Sequence, residues 1–231
     1  MKNEDLEHLI RAAGAILGDH EVVVIGSQSI LPWLRKREGV PPKNYPSIFK
    51  FSMEADIAPI DGDPKKSDEI DGSLGEDSLF HHTRGYYAQG VSLKTARAPK
   101  GWLSRCYALE NANTWQVIGR CMHPNDLFIA KLLANRPKDR PFLEAMIASN
   151  LVRKASVLHG LPQVPDITPE ELEIAQKRLV PISRRTWKSN PSPTKKRNVC
   201  GRNRPPRPLD VRRPAMWTMI RYRKSMQNMP F

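Results

Sequence analysis

No stretch of this 231-residue chain approaches the ~20 apolar residues that a membrane span requires. Its start carries Glu4, Asp5 and Glu7 where a secretory leader needs a basic end and an apolar run. A cytoplasmic protein with no membrane partner is therefore expected. Cysteine is scarce as well: Cys106, Cys121 and Cys200 are an odd number and form no CxxC pair, which argues against a disulfide framework or a structural zinc knuckle. Internal repeats are absent, which excludes a solenoid. Acidic residues nearly vanish from one region, since residues 183–231 hold 14 of the 37 bases but one of the 24 acids, Asp210. The formal net charge of +13 thus resides in that segment, and the remainder balances at 23 of each sign. Seven of the 21 prolines also fall there. The segment reads as a disordered basic tail.

The neutral body is long enough to close one core. Helical spacing of Leu6, Leu9, Ile10, Ala13, Ile16 and Leu17 predicts a helix over Asn3–Leu17, with Asn3 as its cap. Glu21–Ile25 is a β-branched run suited to a buried strand. Gly26-Ser27 follows, leading into a short helix over 28–34 and a Pro-rich surface loop over 35–48. Alternation of Phe51, Met53, Ala55 and Ile57 against Ser52, Glu54, Asp56 and Ala58 predicts a strand over 51–60. A helix over 65–74, a polar loop over 75–85 and strands over 86–91, 103–109 and 114–122 come next. Beyond Pro124 the pattern turns helical, over 124–135 with Asn125 as cap, 139–150 and 168–179. The expected fold is α+β: a mixed sheet with flanking helices in residues 1–122, a three-helix layer in 123–182, and the tail.

The chemistry concentrates in two places that a strand pair would bring together. A Gly-Ser turn at the exit of a buried strand lets main-chain N–H groups approach an anionic oxygen, and the helix start that follows points its positive end the same way. Glu54 and Asp56, at i and i+2, share one face of the next strand. Two carboxylates so close repel each other unless a hard cation lies between them, and Mg²⁺ is the usual occupant where a phosphate ligand is also present.

The pattern Ile25-Gly26-Ser27, a spacer, then Glu54-Ala55-Asp56-Ile57 resembles the signature of the polymerase-β-like nucleotidyltransferase superfamily. Residues 21–29, 51–60, 70–91 and 125–147 are together similar to a group of uncharacterised bacterial nucleotidyltransferase-like proteins, distantly related to the AbiE-type and MenT toxins of toxin–antitoxin systems. The group's helical motif reads here as Asp126-Leu127, Lys131-Leu132, Arg136 and Lys138-Asp139. The resemblance implies an enzyme that moves a nucleoside monophosphate from an NTP to an acceptor such as RNA, a protein or a small molecule. Gly26 and Ser27 would seat the nucleotide phosphates, Glu54 and Asp56 would hold Mg²⁺, Lys131 would meet the triphosphate, and Arg136 would bind phosphate. Asp139 would orient Lys131 or the acceptor. An antitoxin-like partner is a further implication.

Two features depart from the superfamily pattern. The interval from Gly26 to Glu54 is long, and the third carboxylate has only Glu110 and Asp77 as candidates, neither in a motif. A second reading is therefore a non-catalytic member that binds a nucleotide or a partner. A third is an RNA-binding protein acting through the tail, where Trp187, Trp217 and Tyr222 interleave with basic clusters. His81-His82 beside Glu76 and Asp77 is a weak metal pattern, Cys121-x-His123 lacks a second ligand pair, and Gly26-Ser27-Gln28-Ser29 lacks the glycine of a nucleophile elbow.

Overall fold

The computed structural model describes residues 1–36 and 45–186. The basic tail from residue 187 onward and residues 37–44 of the expected loop lie outside them, as does Cys200. The first helix, α1 (Asn3–Leu17), buries Leu6, Leu9, Ile10 and Ala13 completely. Its cap is Lys2 rather than Asn3, because the Lys2 N–H donates to the Asp5 carboxylate at 2.7 Å and satisfies the helix start from within its first turn. Gly18, left-handed at φ 65°, ends it.

Five strands form one mixed sheet: β1 (Glu21–Ile25), β2 (Glu54–Pro59), β3 (Tyr87–Gly90), β4 (Tyr107–Leu109) and β5 (Ile118–Cys121). Their order is β3-β2-β1-β5-β4. β1 lies at the centre, antiparallel to β2 and parallel to β5, while β3 runs parallel to β2 and β4 antiparallel to β5. A central strand flanked on both sides must be apolar, and Val22, Val23, Val24 and Ile25 are all buried. α1 packs on the sheet together with α3 (Pro64–Leu74), whose N-cap Asp63 accepts from the Lys65 N–H. At Gly119 on β5, a side chain would stand 2.4 Å from Ile10 Cδ1, so a glycine there lets α1 lie close to the sheet.

Five expectations change. Strand β2 begins only at Glu54, because residues Ser47–Lys50 coil into a 3₁₀ turn and leave Phe51 and Met53 exposed at 73% and 54%. The alternation thus ran across a turn. The expected 28–34 helix is a 3₁₀ turn, Ser27–Ile30, continuing into α2 (Leu31–Lys36). Within the polar 75–85 segment lies α4 (Leu79–Arg84), capped by Ser78, whose hydroxyl accepts from the His81 N–H. The C-terminal part has four helices rather than three: α5 (Pro124–Ala134), α6 (Asp139–Ala148), α7 (Lys154–Gly160) and α8 (Pro169–Thr186). The last starts with the expected Thr168 cap, whose hydroxyl accepts from the Glu171 N–H, and runs past residue 182. The cap of α5 is His123 rather than Asn125: His123 Nδ1 accepts from the Asn125 N–H at 3.1 Å. Among the described residues no helix is long and apolar enough to cross a membrane.

Candidate active site

The antiparallel register of β1 and β2 sets Ile25 opposite Asp56, which brings the strand exit at Gly26 against the carboxylate pair. Gly26 sits at φ 68°, and a Cβ built there would stand 1.8 Å from Asp56 Oδ2. The glycine is needed twice over, for a backbone angle that other residues rarely adopt and for the space the carboxylate occupies. Its carbonyl accepts from the Ser29 hydroxyl at 2.8 Å, which fixes the turn. Ser27 stands next to this turn, and no group among the described residues takes its hydroxyl. Because the helical start is a single 3₁₀ turn, its main-chain N–H groups matter more than a helix dipole.

Glu54 and Asp56 differ in surroundings although they share a face. Glu54 pairs across the sheet with Tyr87, and the Tyr87 hydroxyl donates to Glu54 Oε2 at 3.4 Å. Burial and the neighbouring Glu54 and Glu76 charges push the Tyr87 phenol up to about 12, so it stays a donor. No hydrogen bond or ion pair among the described residues holds the Asp56 carboxylate. Burial, and then the charge of Glu54, push it up to about 6, against the pull of Lys131, Arg136 and Lys138.

The opposite wall comes from α5 and α6. Lys131 donates to Asp139 Oδ1 at 2.6 Å and lies 4.8 Å above the ring of Phe142. Phe142 in turn packs edge-on against Phe49. Both partners are largely out of water, Lys131 at 13% and Asp139 at 5% exposure, so the ammonium is held in one place rather than waving in solvent. Asn135, left-handed at φ 49°, ends α5 and turns the chain so that Arg136 and Lys138 reach the same space.

All seven residues singled out from the sequence therefore line one cleft. Gly26 and Ser27 form one end, Glu54 and Asp56 the sheet side, and Lys131, Arg136 and Asp139 the helical side. Lys138, Ser52 and Thr95 also line it, and the sequence assigned them no role. Lys138 was legible in the motif; Ser52 and Thr95 carry no signal beyond their place beside a strand start and a turn. Neither proposed third carboxylate is there. Glu110 lines a different concavity with Glu7 and Arg35, and the main-chain N–H of Asp77 donates to His81 beside α4. Asp126 in the helical motif is an anchor: Arg105 grips it at 3.0 Å through both Nε and Nη2, tying the segment before β4 to α5.

Among the described residues no three His, Cys, Asp or Glu side chains gather as a metal cage. Cys121 is buried, its thiol pushed up by burial, while neighbouring His123 serves as a helix cap. A cation in the cleft would have two carboxylates and would take its remaining oxygens from water or phosphate, which suits Mg²⁺.

The family model described as "nucleotidyltransferase of unknown function (DUF6036)" matches residues 4–159. That span holds every residue of the cleft named above. No curated protein and no solved structure matches the chain.

Proposed function

Since the chain belongs to that family of nucleotidyltransferases, we propose that it transfers a nucleoside monophosphate from an NTP to an acceptor hydroxyl, with a divalent cation held by Glu54 and Asp56. The acceptor oxygen bonds to the α-phosphorus, the bond from that phosphorus to the pyrophosphate oxygen breaks, and the hydroxyl proton leaves to water. The observation that carries the reading is the convergence of a Gly-Ser turn, an uncompensated carboxylate pair and three cations on one cleft. Main-chain N–H groups at Gly26-Ser27 and the Ser27 hydroxyl seat phosphate oxygens. Lys131, Arg136 and Lys138 take up the negative charge that grows on the departing pyrophosphate. Asp139 is a positioning residue, aiming Lys131. Bound Mg²⁺ would supply charge neutralisation at the transferring phosphate.

The test is label transfer from each α-labelled NTP into cell extract, with Asp56→Ala beside the wild type. A drop of about 10²–10³-fold in the variant is expected, the size that loss of one electrostatic group produces. Equal transfer by both proteins would end this reading. One observation favours the non-catalytic alternative: among the described residues of the cleft the third carboxylate, Asp139, is committed to Lys131, which leaves none free beside Glu54 and Asp56. That alternative predicts NTP binding with no pyrophosphate release in either protein.

A further inference from the structure

A second concavity lies behind the helical wall of the cleft, enclosed by α5, α6 and α8. Lys131, Arg136 and Asp139 line both spaces, so they form a shared partition. Arg140 and Arg178 line only the second, over an apolar floor that includes Leu132, Leu143 and Ile182. Its one carboxylate, Asp139, is committed to Lys131. Arg140 has a single exposed partner one turn away, Glu144 at 3.3 Å, a contact of little strength. Arg136 and Arg178 have no ion partner among the described residues, although Arg178 is half-buried.

A half-buried guanidinium without a counter-ion has lost hydration and gained nothing in return. Arg178, facing one pocket together with the exposed Arg136 and Arg140, is explained by an anion that visits it, and the planar fork of arginine matches phosphate oxygens in pairs. The nucleotide's own phosphates already have Lys131, Arg136 and Lys138 in the cleft, so Arg140 and Arg178 are surplus to them. Arg178 also lies beyond residue 159, where the family match ends. The end of α8 and the sequence after it carry Arg184, Arg185 and Lys188, with no acid before Asp210.

We infer that this pocket seats a phosphate group of the acceptor, holding it beside the partition while the acceptor's hydroxyl reaches the nucleotide in the cleft. The acceptor is thus a phosphorylated molecule, and its seated phosphate is bound but not changed. This rests on the transferase reading above, which supplies the cleft as the place of reaction.

The experiment measures binding, so it does not depend on turnover. Full-length wild type, Arg178→Glu and Arg140→Glu are titrated with three probes: a fluorescent NTP, a labelled single-stranded RNA oligonucleotide and labelled glycerol phosphate. Thermal unfolding checks that each variant is folded. Both variants should bind the oligonucleotide or the glycerol phosphate at least about tenfold more weakly, with NTP affinity within twofold of wild type. The probe that responds identifies the source of the phosphate. If RNA responds, each arginine removed should also flatten the slope of log affinity against log salt by about 0.7. Unchanged binding of both phosphate probes would overturn the inference, as would an equal loss of NTP affinity, which would give the pocket to the nucleotide's tail. Failure of Asp56→Ala to affect transfer would strike the transferase reading alone.

Discussion

Two acidic sites in this small sheet protein, Glu7 and Asp56, are built on opposite terms. Glu7, on α1, is 1% exposed and receives three donors: Arg35 at 2.8 Å, Asn111 at 2.8 Å and Asn113 at 2.7 Å. Asp56, on β2, is largely buried, receives no donor among the described residues, and faces the like charge of Glu54. A satisfied carboxylate is architecture: it ties α1 to α2 and to the turn before β5. An unsatisfied one beside a second carboxylate is held at an energetic disadvantage at neutral pH, which a proton or a bound cation would relieve. Both carboxylates lie partly or wholly out of water; the partner inventory separates them.

The largest effect that would break this contrast lies at Asp56. Asp56→Asn should cut transfer about 10²–10³-fold and yet stabilise the metal-free protein. The native carboxyl titrates near 6, above its ordinary value of 3.8, so the native state holds its proton more tightly than the unfolded chain. The share of wild-type stability that depends on Asp56 is then full below pH 4 and falls as pH rises through 6. Urea unfolding in EDTA should show the variant ahead by up to about 3 kcal/mol at pH 7.5, the gain vanishing at pH 4. A variant less stable than wild type at pH 7.5 would mean Asp56 has a partner after all.

Glu7→Ala should do the reverse, costing about 3 kcal/mol because three donors lose their acceptor. Transfer per folded molecule should stay at the wild-type level, and a loss there after correction for folding would refute the purely architectural role. A smaller effect separates the sites by ligand: millimolar Mg²⁺ at pH 7.5 should raise the melting temperature of wild type and of Glu7→Ala by a few degrees, equivalent to about 1–2 kcal/mol, and leave Asp56→Asn unmoved. The smallest lies at His123, between the extremes, with one donor on Nδ1 and its pKa lowered by burial. Below its ordinary 6.5 the unfolded chain takes up a proton that the folded cap acceptor resists, so stability is lost as pH falls through the lowered value. Replacement by Asn, itself a good cap, should remove about 1 kcal/mol of that acid sensitivity.

Much of the cleft was legible because its chemistry is local. Gly26-Ser27 at the end of an apolar run and Glu54-x-Asp56 in an alternating one need only strand periodicity to be placed, and Lys131 to Asp139 spans one helix junction. What escaped was decided at a distance or by short elements. Phe51 and Met53 fit the alternation of β2 yet lie between the 3₁₀ turn and the strand, since periodicity cannot see where pairing with β1 stops. α4 has few apolar residues over its single turn and a half, so its only signal was the Ser78 cap. The Tyr87 contact to Glu54 follows from register between parallel strands 33 residues apart, and Arg178 reaches its pocket from a helix in the last part of the described chain.

The central position of β1 also sets the order in which the protein can become competent during synthesis. β1 leaves the ribosome early, but its two neighbours, β2 and β5, emerge on either side of a long wait, and α5 and α6 follow only after β5. Contacts of such long sequence separation form slowly. A nascent chain that has passed Pro59 but not Asp139 holds the turn and the carboxylates without the aimed lysine. Under the proposed mechanism the half-made protein is therefore inert by geometry, and the cleft is complete only when nearly all of the family domain has been made.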